Sequence, residues 1–556
     1  MEFKRHMIEK WWQLNTGKAV LCAALSIANP LLSIEGIADG SASEGPVVRV
    51  EQGYLRGHGL ESDPGIFVFK GIPFAAPPSG TLRWRPPQPV QPWKGVRGAS
   101  EIGPVCWQPH PGTIPNFDFR FDEDCLNLNV WTPTNDRNAR LPVIVWIHGG
   151  GHHTGSGSAP WLSGHYMARK GVVYVTFNYR LGVLGFLVHR ALDAEAESGV
   201  SGNYGVMDQV AALTWIKRNI QAFGGDPNRI TVSGYSAGGV SLQYLLMSER
   251  VRSLFRRGIS HSGGYGLHLV GPDTRKVSSG LTAYEEGANF ARHHGIEGTD
   301  VAAASALRAI APEEIHADGP WRGYPIIDGD YLPGSYAEQY SKGATVSIDL
   351  MIGTTSHEGN GNWRFHWGRQ PDEDYDLFLR RLLAGGPPGL IDRYRRSDDL
   401  SGPDAAARLE TDMQSATRHA LLRRYVAAHP DRAVYSYLFA HPMPHFAART
   451  LGMAPASREL GAFHGASLPF VNNSLGYSKS LPLEEADFRL AEMVSGYIVN
   501  FAAHGNPNGS GLPEWPPYAP MSATEFVIDE TPGLRPIAER QQLELMMRVI
   551  DDVAVE

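Results

Sequence analysis

The sequence predicts an α/β fold built on a large, mostly parallel central sheet, flanked by helices and capped by helical insertions. Three observations carry that expectation. First, "LPVIVWI" from Leu141 to Ile147 and "VVYVTF" from Val172 to Phe177 are nearly unbroken apolar runs of strand length, the pattern of strands covered on both faces in the middle of a parallel sheet. Second, Val206, Val210, Leu213, Ile216 and Ile220 recur at helical spacing until Gly224, Gly225 and Pro227 stop the pattern. Third, Arg229 to Ser248 reads as strand, turn and helix without interruption. Strand–helix–strand–helix succession is that of a doubly wound sheet.

Taken in order, the first forty-odd residues stand apart. Lys4, Arg5, Lys10 and Lys18 precede an apolar run, Ala19 to Ala28, that ends in small residues. This is the layout of a secretory leader, cleaved after Ala28 or further on, before Glu44; a short amphipathic helix is the alternative. The expected division is therefore a leader over 1–43 and a single domain with insertions over 44–556. No later segment reaches the ~18 apolar residues of a bilayer span, so a secreted or periplasmic protein with no integral membrane segment in the mature chain is expected. Of the three cysteines, Cys22 falls in the leader. The remaining pair, Cys106 and Cys125, is most simply a disulfide in an oxidising compartment, with two separate buried thiols as the alternative. A net charge of −8 offers no basic footprint for nucleic acid. No H-E-x-x-H or comparable ligand cluster occurs, so neither a metal nor another cofactor is expected. Oligomeric state has no signature in the sequence.

Within the domain, Val47 to about Tyr54 alternates like an edge strand, and Asp124 to Pro133 alternates apolar and polar and reads as another strand. Further strands are expected at 346–353 and 433–440, and a long helix from Glu485 to Gly505. The stretches near 270–340 and 365–430 are helix-rich and suited to capping the sheet.

The chemistry centres on "GYSAGG". Ser236 stands where strand gives way to helix, between Gly234 and Gly238, where any side chain would strike neighbouring backbone. Such a turn lifts the hydroxyl clear of the sheet and aims a helix N-terminus at it. The pattern alone carries little weight in a chain with 62 glycines. It gains weight from "HGGG", His148 to Gly151, which follows the earlier buried strand and offers backbone N–H groups to a developing oxyanion. The N–H groups of Gly150, Gly151 and Ala237 are the expected oxyanion hole. An acid and a histidine should follow in that chain order. Glu358 in "GTTSHEG" and His464 in "GAFHGASLPFV" qualify by their flanking glycines, loop positions and order.

With these segments in view, the chain resembles the type-B carboxylesterases, the cholinesterase-like branch of the α/β-hydrolase fold. The resemblance runs from about Val47 to the C-terminus. It rests on "FKGIPFAAPPSGTLRWRPP", "EDCLNLNVWTP", "HGGG", "NYRLGVLGFL", "GNYGVMDQVAALTWIKRNIQAFGGDP", "GYSAGG", "GTTSHEG" and "FHGASLPFV". It implies an ester hydrolase with Ser236 as nucleophile, His464 as base, Glu358 as acid and a Cys106–Cys125 bridge. It also implies an auxiliary role for Ser262, the second serine of "GISHSG". A base must be neutral to act, so activity is expected to rise with pH through about 6 to 7.

Departures from the family bear on substrate. Tyr235 occupies a position that is often acidic in the family. The loop between the cysteines carries Trp107, Phe117, Phe119 and Phe121 but lacks the tryptophan on which cholinesterases hold choline, so a quaternary ammonium substrate is a poor fit. His152 and His153 follow the glycines, and Trp363 and Arg364 follow Glu358. These residues, with Tyr235, are the candidate substrate contacts. A pocket less anionic than usual suits small-molecule esters that are polar or polycarboxylated, as for secreted bacterial relatives acting on fumonisin mycotoxins. The alternatives are a broad esterase or lipase on neutral esters, and a non-catalytic adhesion protein of the same family.

Overall fold

The computed structural model describes residues 45–553 apart from 109–118, 265–268, 276–279, 318–322, 361–371, 384–385, 388, 444–457 and 478–480. The expected leader, Phe117, Trp363 and Arg364 lie outside the described residues.

Eleven strands form one sheet: β1 (His58–Leu60), β2 (Asp63–Pro73), β3 (Asn127–Thr132), β4 (Leu141–Ile147), β5 (Val173–Phe177), β6 (Gly225–Tyr235), β7 (Arg257–His261), β8 (Asp349–Thr355), β9 (Val434–Phe439), β10 (Thr524–Ile528) and β11 (Gly533–Pro536). Their spatial order is β11-β10-β9-β8-β7-β6-β4-β5-β3-β2-β1. From β5 across to β10 neighbouring strands run parallel, while β1–β3 and β11 pair antiparallel at the two ends. The expected mostly parallel sheet is the observed one.

Helices cover both faces, and the two-residue period of β4 shows how. Val143, Val145 and Ile147 pack with Leu213 and Ile216 of α1 (Tyr204–Asn219) and Leu242 and Leu246 of α2 (Ala237–Leu246). Ile144 and Trp146 point the other way, into a second core with Val494, Tyr497 and Phe501 of α3 (Glu485–His504). Side chains alternate across a strand, so an unbroken apolar run has an apolar partner on each side. Each aliphatic side chain so buried contributes about 1.5–3 kcal/mol. The α1 helix gives way to a single 3-10 turn at 220–223, and Gly224 closes it at φ 82°. Gly505 caps α3 at φ 74°, as glycine does when a helix must end in the left-handed region.

One local expectation needs correction. Val47 to Tyr54 is not one strand: Val47–Val50 and Gly53–Arg56 form an antiparallel hairpin in a separate three-stranded sheet completed by Val96–Gly98. The chain turns back at Gly53, where a Cβ would sit 2.4 Å from the Trp93 indole nitrogen. β3 falls within the strand expected over Asp124 to Pro133, and the polar residues of its alternation are buried. Asn129 donates to Thr176 Oγ1 and Ser158 Oγ, 3.2 Å each, and accepts from the Gly71 N–H. Asn127 donates to the Pro104 carbonyl at 2.9 Å. Buried amides are tolerated because they are hydrogen-bonded.

Cys106 and Cys125 form a disulfide, 19 positions apart, with both residues buried. Closing a loop of that length stabilises the fold by about 3 kcal/mol in the chain-entropy account. Cys125→Ser is therefore expected to lower the unfolding free energy by about that amount, read as a shift in denaturant midpoint. Dithiothreitol should shift the wild type similarly and leave the variant unmoved; a variant with the wild-type midpoint would show the bridge to be energetically idle. Among the described residues no helix is long and apolar enough to cross a membrane.

Candidate active site

Ser236 follows the last residue of β6 and caps α2 with φ 54° and ψ −123°, a conformation costly for a residue with a side chain. Neighbouring glycines make that turn feasible. A Cβ on Gly234 would lie 2.3 Å from the Gly238 carbonyl oxygen, and one on Gly238 would lie 2.1 Å from the Ile147 oxygen. The Ser236 N–H donates to the His261 carbonyl at 2.8 Å, which ties the corner to the end of β7.

Glu358 comes from the turn after β8 and is fully buried. One carboxylate oxygen accepts the Thr355 N–H at 2.7 Å. The other lies 2.6 Å from His464 Nδ1. Burial works against the charged carboxylate, but the facing imidazole, the hydrogen bonds from His464 and the Thr355 N–H, and the nearby Ser262 hydroxyl outweigh it and hold the carboxyl below its usual range. The Ser262 hydroxyl sits beside the carboxylate, just short of full hydrogen-bond geometry. His464 Nε2 is 2.9 Å from Ser236 Oγ. With Glu358 ionised, Nδ1 carries the proton and donates to it, leaving the Nε2 lone pair to accept the serine hydroxyl. The loops that carry acid and histidine are themselves joined: His357 N–H donates to the Ala462 carbonyl at 3.1 Å, and the Asn360 amide to the Leu460 carbonyl at 3.0 Å.

The glycine-rich loop leaves β4 beside this line. A Cβ on Gly149 would lie 3.0 Å from Ser236 Cβ, so the loop lies directly against the serine. Gly150 and Gly151 have φ of 107° and 63°. The Gly150 carbonyl accepts the His153 and Thr154 N–H groups, each at 3.0 Å, which folds the loop back on itself. The far end is clamped by Gln108, whose amide donates to the Gly155 carbonyl at 2.9 Å and accepts the Gly155 N–H at 2.8 Å. Ala237, the first residue of α2, follows the serine directly. Of the three expected N–H donors, Ala237 is next to Ser236 in the chain, and Gly150 and Gly151 follow Gly149 in the loop that lies against it.

The candidate substrate contacts divide. His152 is turned into the core instead of the site. It is 5% exposed, its Nε2 lies 3.0 Å from Ser241 Oγ of α2, and it packs on Tyr179, Phe186 and Tyr244. Burial lowers its pKa to about 3, so it is neutral and props the loop from beneath. His153 lies edge-on to Tyr324, with ring centroids 4.7 Å apart. Tyr235 packs on the His464 ring, centroids 5.0 Å apart. In the cysteine loop, Trp107 stacks on Phe121 at 5.9 Å.

Two residues here carry no signal in the sequence. Gln108 is one. The other is His261, buried below Ser236, with Nε2 3.0 Å from Ser233 Oγ and Nδ1 2.6 Å from the Tyr437 hydroxyl. Burial lowers its pKa to about 3 and leaves it a neutral bridge from β6 to β9. Tyr437 reaches across β8 at Gly353, where a Cβ would sit 2.0 Å from the tyrosine ring. A lone histidine or glutamine in a strand or loop gives no hint of partners so far away.

A parallel sheet wrapped by helices, with a strained serine corner after a central strand, defines an α/β-hydrolase. The chain belongs to the carboxylesterase family, whose model matches residues 44–546. It is 35% identical over 476 residues to a fumonisin B1 esterase of Sphingopyxis macrogoltabida, covering 82% of each chain. It is 31% identical to the pyrethroid hydrolase Ces2a of Mus musculus, covering 88% of this chain and 89% of that one. Among solved structures, the carboxylesterase EST55 of Geobacillus stearothermophilus superposes with a TM-score of 0.75 at 32% identity, over 90% of this chain and all of that one. The protein is a carboxylic ester hydrolase.

Proposed function

We propose that Ser236, His464 and Glu358 are the catalytic triad, and that the enzyme's preferred substrates are polar or polycarboxylated esters. The continuous hydrogen-bonded line from Ser236 Oγ to His464 at 2.9 Å and on to Glu358 at 2.6 Å carries the reading. His464 Nε2 takes the hydroxyl proton as Ser236 Oγ attacks the ester carbonyl. Glu358 keeps the imidazole in the required tautomer and stabilises the imidazolium. The oxyanion is held by the N–H groups of Gly150, Gly151 and Ala237, each worth about 3 kcal/mol in the transition state. His464 then protonates the leaving alcohol, and water, deprotonated by the same imidazole, releases the acid from the acyl-enzyme.

The substrate class rests on Tyr235 standing where an acidic residue would repel a carboxylated ester, on Arg364 following Glu358 in sequence, and on the similarity to the fumonisin B1 esterase. The similarity to the pyrethroid hydrolase favours the second reading, a broad esterase on neutral esters. The disulfide favours export behind the leader over 1–43. The deciding experiment compares kcat/KM for a tricarboxylate ester with that for its neutral methylated counterpart. A preference of about tenfold or more, reduced by Arg364→Gln or His153→Gln, is expected if the carboxylates are recognised by hydrogen bonds from these side chains. Equal rates unaffected by either substitution would leave the broad esterase.

A further inference from the structure

We propose that Tyr235 is a positioning residue for His464: its ring, wedged between the glycine-rich loop and the His464–Gly465 turn, holds the imidazole in line with Ser236 and keeps an uncharged group beside it. The inference rests on the triad reading above and adds a residue to it.

The geometry comes from three sides. The phenol ring lies 5.0 Å from the imidazole, centroid to centroid, with the planes inclined at 36°. At one edge, a Cβ on Gly149 would approach Tyr235 Cδ1 to 2.9 Å. At the other, a Cβ on Gly465 would lie 2.7 Å from the Tyr235 hydroxyl, and Gly465 itself has φ 95°. Glycine in both places is what admits the ring. Tyr235 therefore touches the serine corner, the glycine-rich loop and the histidine turn together. A ring packed on an imidazole contributes beyond its buried area and restricts rotation of its partner. Burial, and secondarily the Glu358 charge, push the phenol well above its usual pKa, so the wedge stays neutral.

Titratable groups around the imidazole include Glu358, bonded to Nδ1, and Tyr437, close enough to Glu358 to feel its charge. His357 lies against Gly461 of the same turn. At the root of that turn Arg458 and His441 both pair with Asp487. A carboxylate at position 235 would add a second anion beside the ring, on its face where Glu358 meets its edge, and would likewise favour the imidazolium.

Four variants, assayed on one ester across pH and checked for native circular dichroism, test this. Tyr235→Ala is expected to lower kcat three- to tenfold, roughly the worth of one aromatic pair, with KM within about twofold. Tyr235→Phe, which keeps the ring, should restore what alanine loses. Tyr235→Glu should raise the acid limb of the kcat/KM profile by about one pH unit, because a nearby anion favours the imidazolium. Ser236→Ala separates the two levels: if it retains activity the triad reading fails, whatever Tyr235 does. If Ser236→Ala is inactive while Tyr235→Ala and Tyr235→Glu keep the wild-type kcat and acid limb, the triad stands and the wedge does not.

Discussion

Ser236→Ala is expected to lower kcat by about a million-fold with little change in fold, because members of a serine–histidine–carboxylate unit act together. The substitution removes the one oxygen that His464 Nε2 faces at 2.9 Å. Binding surfaces and the proposed oxyanion N–H groups remain, so a residual rate of about 10³- to 10⁴-fold over water should persist. Glu358→Gln should cost about 10⁴-fold: an amide N–H₂ turned toward Nδ1 would favour the tautomer that leaves Nε2 protonated and unable to accept. A fluorophosphonate should label one equivalent of wild type and none of Ser236→Ala, read by mass spectrometry on the intact chain. If the alanine variant kept a hundredth of the wild-type rate, another nucleophile would have to be sought.

Asp208→Ala carries the largest expected loss of stability. Asp208 projects from α1 and is fully buried, and Arg180, three residues beyond β5, is 3% exposed. The carboxylate accepts Arg180 Nε and Nη2 at 2.7 Å each, and the Arg180 backbone N–H at 3.0 Å. Taking two charges from water is costly, so the pair itself need add little to stability. Breaking it is different. The guanidinium would be left buried with one remaining well-formed contact, Nη1 to the Arg85 carbonyl at 2.8 Å. A loss of about 3–5 kcal/mol is expected on that ground, measured as the denaturant midpoint. Replacing both partners, Arg180→Met with Asp208→Leu, should recover much of it. A midpoint shift worth less than about 1 kcal/mol for Asp208→Ala would mean that water reaches the guanidinium.

Much of the central sheet was legible because its strands are covered on both sides, and a strand of that kind advertises itself as an unbroken apolar run. Strands with mixed composition did not. Arg257–His261 begins with a charged residue and ends in a histidine, and its place in the sheet depends on neighbours β6 and β8. The turn at Gly53 was hidden for a similar reason: Trp93, forty residues away, decides it. His152 shows the same limit at the site. Its position after three glycines suggested a substrate contact, but Ser241 and Tyr244 on α2 offer a hydrogen bond and a stacking face on the buried side.

By itself the sequence determined whatever depends on residues close in the chain: the apolar periods, the glycine-flanked corner at Ser236, and the glycines after β4. These are matters of backbone sterics and local spacing, and any fold containing them must respect them. Only the tertiary structure showed that Glu358 and His464, singled out in the sequence, lie in one hydrogen-bonded line with that serine, that His152 turns inward, and that Tyr235 lies on the His464 ring. Those contacts join residues as much as 228 positions apart. They are settled by the order in which parallel strands assemble and deliver their ends to one edge, where distance through space no longer follows distance along the chain.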